Sequence, residues 1–463
     1  MIRRWRSLLG VYTLLIYCAV PFAFAVVLWR GLRDPAYWQG LGDRFGVGSR
    51  VGRAGTTGAT GCTGTLWVHA VSLGEMSAAA PLVRALRARY PQSALVLTTA
   101  TATGRARARS LFGDEVDVRF LPYDMPGAVV RFLERVRPRL ALVMETEIWP
   151  NLYLECERRG VPLVLASARL SANSVMRYQR FGGLFRGIFS ASSLIAAQTA
   201  VDAERFVSIG AQSARTRVVG NIKFDLELGA GGLDQGRELR SSLGGTRPTW
   251  VAGSTHAGEE EQVLAAHAQV RGAEPNALLL LAPRHPDRFE AVAGLLSAQP
   301  MRFTRRSSGE IPDAATAVVL VDTVGELAAL YASADVAFVG GSLMPIGGHN
   351  LLEPAALGVP VLTGPSHANA KDIARLLLAQ GAALQVADAS ELAAALLRLF
   401  RDPAQRQRMG DAGRRVIESN RGSVARLLEL IEMLLSGSSM AEWAKPDSAA
   451  SEQVPPESTP PGQ

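Results

Sequence analysis

From residue 66 to residue 400 the chain alternates short apolar runs with longer stretches of helical periodicity. The runs 66–71, 94–99, 116–121, 140–144 and 162–166 each have the length and continuous apolar character of a parallel strand covered on both faces. The stretches between and after them, 77–89, 104–112, 126–135, 150–159 and 202–209, read as crossover helices. A glycine-rich break at 225–248 then reads as a linker. Beyond it the same beat resumes. Strands are expected at 249–252, 277–282, 317–321, 336–339, 359–362 and 383–386. Helices are expected at 259–270, 287–297, 325–332, 350–357, 371–379 and 390–400. This order predicts an α/β chain with two Rossmann-like domains, at 31–224 and 249–435, each built on a parallel sheet. Ligands of such sheets bind outside the carboxyl ends of the strands. Two such domains also imply a cleft whose closure excludes water from a reacting group.

Residues 8–28 are uncharged and mostly apolar, long enough to span a bilayer as a helix. Trp5 and Trp29 bracket the run, as interfacial aromatics do. Arg3, Arg4 and Arg6 before it and Ala23-Phe24-Ala25 within it also fit a cleaved signal peptide. The apolar run outlasts a typical signal core and continues through Val26, Val27 and Leu28, so an uncleaved anchor at 1–30 is the favoured reading. Pro21 leaves room for a segment that dips into one leaflet. Residues 49–65, rich in Gly and Thr, read as a flexible loop, and 436–463 as a disordered tail.

The net charge of +7 suits an anionic membrane surface or a phosphorylated substrate. No zinc ligand set, aromatic platform or nucleic-acid motif accompanies it, so nucleic acid is not expected as a partner. Three cysteines make no disulfide framework, and six histidines show no metal-binding spacing.

Residues with chemistry gather at the predicted strand ends. In the stretch 69–79, Gly74 permits a tight turn and Glu75 stands at a strand's carboxyl end. Ser72 with Glu75 also makes an S-x-x-E capping box, and both readings stand. Thr103 and Gly104 close a Thr-rich strand end that suits either an anion site or a helix cap. Glu145 and Glu147 end another strand two residues apart, which puts two carboxylates on one face if the strand continues. Arg284 and His285 follow a strand in the second half, where a guanidinium fork suits phosphate. Gly341 and Gly348 belong to a glycine-rich connection leading to Asn350 and Glu353, which share the first turn of a helix. That arrangement fits a nucleotide, with phosphate at the amides and ribose at the carboxylate; it also fits a capped helix.

In order and spacing these segments resemble the family of 3-deoxy-D-manno-octulosonic acid (Kdo) transferases of lipopolysaccharide synthesis. The resemblance rests on HAVSLGEMSAA at 69–79, LTTATATG at 97–104, METEIWPN at 144–151, GNIKFD at 220–225, APRHPDRFE at 282–290 and GGSLMPIGGHNLLEPAALGVPVLTGP at 340–365, together with the N-terminal apolar run. It implies a GT-B glycosyltransferase fold, with the lipid acceptor on the N-terminal domain and CMP-Kdo on the C-terminal one. It implies Glu75 as the catalytic base, with Glu145 and Glu147 as essential acids beside it. It implies Arg284 as a phosphate ligand and Asn350 and Glu353 as nucleotide contacts. Ser72, Thr103, Gly104, His285, Gly341 and Gly348 complete the expected substrate-binding set. No metal or cofactor is implied. The expected partners are CMP-Kdo, the lipid A precursor and inner-membrane lipids, with the catalytic domains facing the cytoplasm. The insert at 49–65 and the long tail depart from the compact family pattern.

Overall fold

The computed structural model of the protein describes residues 2–51, 64–180, 182–226 and 232–437. Most of the Gly/Thr-rich stretch, Cys62, Gly229 and Gly231 of the expected linker and nearly all of the tail lie outside the described residues. The chain divides into two compact units, residues 1–222 with 422–463, and residues 223–421.

The first unit carries seven parallel strands: β1 (Thr65–His69), β2 (Leu95–Thr99), β3 (Asp117–Phe120), β4 (Pro138–Met144), β5 (Leu163–Ala168), β6 (Leu194–Ala197) and β7 (Thr216–Val218). Their order is β3-β2-β1-β4-β5-β6-β7. Side chains alternate between two cores, as the strand repeat of two dictates. Leu66, Val68, Leu97 and Leu142 face one core, and Trp67, Val96, Ala141 and Val143 the other. Both faces are covered, which explains why the strands read as unbroken apolar runs. The order reverses between β1 and β4, so the crevice of this sheet opens at the carboxyl ends of those two strands.

The second unit repeats the plan with β8 (Thr249–Thr255), β9 (Leu278–Pro283), β10 (Phe303–Arg305), β11 (Val318–Leu320), β12 (Val336–Val339), β13 (Val361–Thr363) and β14 (Ala383–Gln385). Their order is β10-β11-β9-β8-β12-β13-β14, all parallel, with the reversal between β8 and β12. Val251, Leu280, Ala337 and Val361 face one core; Trp250, Leu279, Phe338 and Leu362 face the other.

Each sheet contains a pairing irregularity that coincides with a serine at positive φ. In β5 the register against β6 shifts between Leu165 and Ala168, around Ser167 with φ of 53°. In β8 the register against β9 shifts between Gly253 and Thr255, around Ser254 with φ of 59°. Bulges of this kind re-aim the chain at a strand end and occur beside binding sites.

The units differ from the sequence expectation in several places, and the helices Ala172–Arg180, Gly182–Ala191 and Pro403–Asn420 were not expected at all. Residues 232–242 form a helix, Gly232–Ser242, where a linker was expected. Gly236 lets that helix approach Leu327–Ala332 so closely that a Cβ would lie 2.4 Å from the Ala332 methyl. Arg240 also pairs with Asp335 at 3.1 Å. The last described helix, Ser423–Ser436, was expected in the second domain but belongs to the first unit. Val424, Leu427 and Ile431 make a stripe that fills the core beside Leu82 and Leu86, and Arg426 Nε donates to the Val219 carbonyl at 3.0 Å. Finally, β6, β7 and β10 were not expected; they are three or four residues long.

The N-terminal helix, Ile2–Gly31, has a mean hydropathy of 2.3 over its most apolar stretch and is long enough to cross a membrane.

Candidate functional site

At the crevice of the first sheet, β1 runs into the helix Leu73–Arg89 through Ser72, which is extended and caps it. The Ser72 hydroxyl accepts from the Glu75 amide at 3.4 Å, and Glu75 Oε2 accepts from the Val71 amide at 2.9 Å. The capping geometry is therefore real. It also fixes the Glu75 carboxylate at the amino end of the helix, where the dipole favours negative charge. Only part of this side chain is covered.

The end of β2 is tied to the same loop. Thr99 Oγ1 donates to the Val71 carbonyl at 2.9 Å, and the Ala100 amide donates to it at 3.1 Å. The Thr101 hydroxyl caps the helix Ala102–Phe112 by accepting from the Gly104 amide at 3.0 Å. That amide is thus already engaged, and the cap reading of the Thr-rich stretch is the one realised. Gly104 matters for closeness instead: a Cβ there would lie 2.3 Å from Thr99 Oγ1 and 3.3 Å from the Ser72 carbonyl carbon. Thr103 is exposed beside it.

On the other side of β1, β4 ends in Glu145 and Glu147. Strands β1 and β4 are hydrogen-bonded neighbours, so Glu75 and this pair follow adjacent strand ends. Glu145 has φ of 52°, a left-handed conformation that costs a non-glycine residue on the order of 1 kcal/mol. The strand does not continue through the pair. Instead the chain turns at Glu145, and the Glu147 carbonyl accepts from the Tyr153 hydroxyl at 2.7 Å. Burial, and then the charge of Glu145, raise the pKa of Glu147.

Asp124 anchors this corner from below, a role the sequence reading missed. It is buried and accepts from the amides of Asn151 and Leu152, both at 2.9 Å, so it caps the helix Pro150–Arg158 from a distant loop. Burial pushes its pKa up to about 7 against those hydrogen bonds.

In the second sheet the corresponding loops follow β8 and β12. Glu259 is fully buried and receives the amide of Gly341 at 2.7 Å and those of Ser342 and Leu343 at 3.0 Å each. Burial still raises its pKa. The Gly341 amide, expected to meet a ligand, is therefore taken by this carboxylate, and the Gly348 amide by the Gly341 carbonyl at 2.7 Å. What these glycines supply is space: a Cβ on Gly341 would lie 2.9 Å from the His349 ring, and one on Gly348 2.9 Å from the Ser366 carbonyl oxygen. Glu260, also fully buried, holds Arg288 at 2.9 Å.

Next to this brace stands a cluster of three histidines and one arginine. His256 and His349 stack at 5.0 Å between centroids, with their Nε2 atoms 2.7 Å apart, so one ring donates to the other. His285 meets His256 edge-on at 5.4 Å, and Arg284 follows β9 with its amide on the Thr255 carbonyl at 2.9 Å. Burial, then His256 and Arg284, push His349 down to about 4. Burial, then His285 and Arg284, lower His256. These are neutral imidazoles next to a fixed cation, an arrangement that welcomes an anion. Asn350 Oδ1 accepts from the Leu352 amide at 3.1 Å, and its Nδ2 donates to Glu353 at 3.0 Å. Asn350 thus braces the start of the helix Leu352–Leu357 and holds Glu353 in place. His256 and Glu259 went unremarked in the sequence; the signal was there in Ser-Thr-His-x-Gly-Glu-Glu closing a strand.

Among the described residues, no group of three or more His, Cys, Asp or Glu is placed to hold a metal ion.

The chain matches two known families. Residues 39–226 match the 3-deoxy-D-manno-octulosonic-acid transferase (kdotransferase) family, and residues 249–416 match glycosyl transferases group 1. It is 40% identical to the 3-deoxy-D-manno-octulosonic acid transferase of Haemophilus influenzae, covering 92% of this chain and 98% of that one. It is 39% identical to the Bordetella pertussis transferase of the same name, covering 91% and 98%. A solved structure of UDP-GlcNAc 2-epimerase from Neisseria meningitidis is 16% identical, covers 80% of this chain and 99% of that one, and has a TM-score of 0.55, which is a likeness of fold. Two parallel seven-stranded units and these matches define the GT-B fold.

Proposed function

This chain belongs to the Kdo transferase family, and from that premise we propose that it transfers Kdo from CMP-Kdo to the lipid A precursor lipid IVA, with inversion and with Glu75 as the base. The observation that carries the mechanism is the Glu75 carboxylate, held by the Val71 amide at the point where the first sheet reverses its strand order. A carboxylate fixed in this way at a strand's carboxyl end, and only partly covered, suits a positioned base.

The acceptor hydroxyl loses its proton to Glu75 as its oxygen bonds to the anomeric carbon of Kdo. The bond from that carbon to the phosphate oxygen of CMP breaks, and its electron pair leaves with the phosphate. A phosphate leaving group needs little protonation, and cationic contacts suffice. Arg284 supplies a fixed positive charge, and His256, His285 and His349 supply imidazoles around it. Glu353, held by Asn350, is suited to ribose hydroxyls. Ser72, Thr103 and Gly104 border the Glu75 loop on the acceptor side. Glu145 and Glu147 follow the strand end next to that of Glu75, and the strained backbone at Glu145 supports a functional rather than a structural reason for the pair. Attack from the face opposite the leaving phosphate inverts the anomeric carbon, by the displacement logic of inverting glycosidases.

An acceptor that is a phosphorylated acyl disaccharide resides in a bilayer. The apolar helix Ile2–Gly31 supports attachment to the inner membrane, with both units on the cytoplasmic side where CMP-sugars are made. The direct test is incubation of the full-length chain with CMP-Kdo and tetraacylated lipid A precursor, followed by mass spectrometry of the lipid. The expected product is heavier by one or more Kdo residues. An unmodified lipid, with CMP-Kdo consumed only when another acceptor is supplied, would contradict the acceptor assignment.

A further inference from the structure

The N-terminal helix does not stand apart from the first unit. It is docked along its whole apolar length. Leu8 reaches Gly183, where a Cβ would lie 3.6 Å from its methyl. One turn on, the Tyr12 hydroxyl donates to buried Asp124 at 2.9 Å, and the Thr13 hydroxyl donates to Asn151 at 3.1 Å. Ile16 and Val20 pack with Met125 and Ala128. Phe24 meets the Phe45 ring edge-on at 5.2 Å, and the Leu28 carbonyl accepts from Trp38 Nε1 at 3.2 Å. Each step of four residues advances the contact by about 40°, so these contacts form one continuous stripe that winds slowly around the helix.

The stripe decides the topology. Leu8 to Leu28 spans about 30 Å at the helical rise. The hydrocarbon core of a bilayer is also about 30 Å thick. A helix that crossed it while keeping this stripe would carry Asp124, Asn151 and the loops that bear them into hydrocarbon. Irregular backbone and carboxylates are not tolerated there against lipid. Crossing the bilayer and docking on the first unit therefore exclude one another.

Between Leu8 and Leu28 the other side of the helix is exposed among the described residues and carries no charge. Leu14, Leu15 and Phe22 are 64%, 62% and 76% exposed, and Val11 and Val26 flank them. An apolar strip of this size needs a cover. Its ends name the cover. Arg33 lies over the Trp29 ring at 4.6 Å at one end. Arg177 and Arg180 are exposed at the other, on the helix Ala172–Arg180 that adjoins the Gly182–Ala191 helix touched by Leu8. An apolar band ending in Trp and Arg is complementary to acyl chains bordered by anionic headgroups.

We propose that the N-terminal helix is a monotopic anchor: one face docked on the first unit, the other sunk into the near leaflet of a phospholipid bilayer, with both ends on the same side. This rests on the membrane attachment proposed above. The test replaces Cys18, Cys62 and Cys156 with Ala in the full-length chain and adds Ile2→Cys or Arg33→Cys singly. A membrane-impermeant maleimide is applied from the periplasmic side and, separately, to inverted inner-membrane vesicles. Neither position should label from the periplasm, and both should label in inverted vesicles. Periplasmic labelling of Ile2→Cys, with the chain still membrane-bound, would overturn the monotopic placement alone. Release of the chain by high salt, or a mature chain starting near Val26, would overturn the attachment and the placement together. As a second measurement in the natural cysteine background, Phe22→Arg should weaken retention on phosphatidylglycerol-containing vesicles at least about tenfold, because it charges the lipid face without touching the docked stripe. Unchanged retention would contradict a lipid-covered outer face.

Discussion

The two sheets place loops of opposite chemistry at the same topological position. In the first unit the loops after β1 and β4 carry three carboxylates, Glu75, Glu145 and Glu147, all partly accessible. In the second unit the loop after β8 also carries acids, but Glu259 and Glu260 are fully buried and engaged as braces. What faces outward there is Arg284 with three histidines. Residue type alone does not distinguish these roles. Their surroundings do: Glu259 and Glu260 are buried and hold their loops in shape, whereas Glu75, Glu145 and Glu147 are partly accessible, with a strained backbone at Glu145.

The comparison breaks most visibly at Glu259. Glu259→Ala leaves three buried amides without an acceptor, at about 1–3 kcal/mol each. We expect a stability loss of roughly 3–5 kcal/mol in the second unit and loss of CMP binding. Denaturant unfolding and calorimetric titration with CMP would show it. A variant with wild-type stability and CMP affinity would mean that this acid is no brace.

Next is the outward face. Glu353→Ala should weaken CMP binding by about 1.5–3 kcal/mol, as for loss of a charge-assisted hydrogen bond. Arg284→Ala should also weaken it, by removing the fixed cation. Unchanged CMP affinity in both folded variants would move the donor site away from the second unit.

The smallest effect is one of pH. His349 and His267 in the second unit are held near 4 and 3, and His69 in the first near 4, mainly by burial. Their folded pKa values lie below the unfolded value of about 6.5, so the unfolded chain takes up protons first on acidification. Stability from these groups is full above pH 6.5 and falls as the pH drops towards 4. Asp124 in the first unit acts oppositely: its pKa of about 7 makes it favour the folded state as the pH falls from 7 towards 4. Lowering the pH from 7 to 5 should therefore loosen the second unit more than the first. Hydrogen exchange, corrected for intrinsic rate, reads the two units separately, and equal loosening would contradict the assignment.

The alternation of strands and helices was legible because both faces of each sheet are buried and each strand reads as an apolar run. The edge strands β7 and β10, Thr-Arg-Val and Phe-Thr-Arg, were not, since each mixes polar with apolar residues over three positions, and β6 ends in two alanines that read equally well as helix. The helix Ser423–Ser436 was invisible as a member of the first unit for a different reason. Its stripe says that it needs a partner but not which one, and the partner lies more than three hundred residues earlier at Leu82 and Leu86. The site loops were legible in position and less so in role. Ser72 caps its helix and Asn350 braces the start of another, and neither contact excludes the proposed site roles. The grip of Glu259 on Gly341–Leu343 spans more than eighty residues, and no local pattern announces it.

The account turns on Glu75. Its carboxylate is both a link to the Val71 amide and the proposed base, and Glu75→Gln separates the two. The amide keeps the size and can still accept from Val71, but it cannot take a proton at neutral pH. Transfer from CMP-Kdo to the lipid A precursor should fall by roughly two to four orders of magnitude, the range for losing a general base. CMP affinity and melting temperature should hardly move. Near wild-type transfer by a folded Glu75→Gln chain, with a stability loss of about 1 kcal/mol seen only for Glu75→Ala, would show that Glu75 is a cap and nothing more.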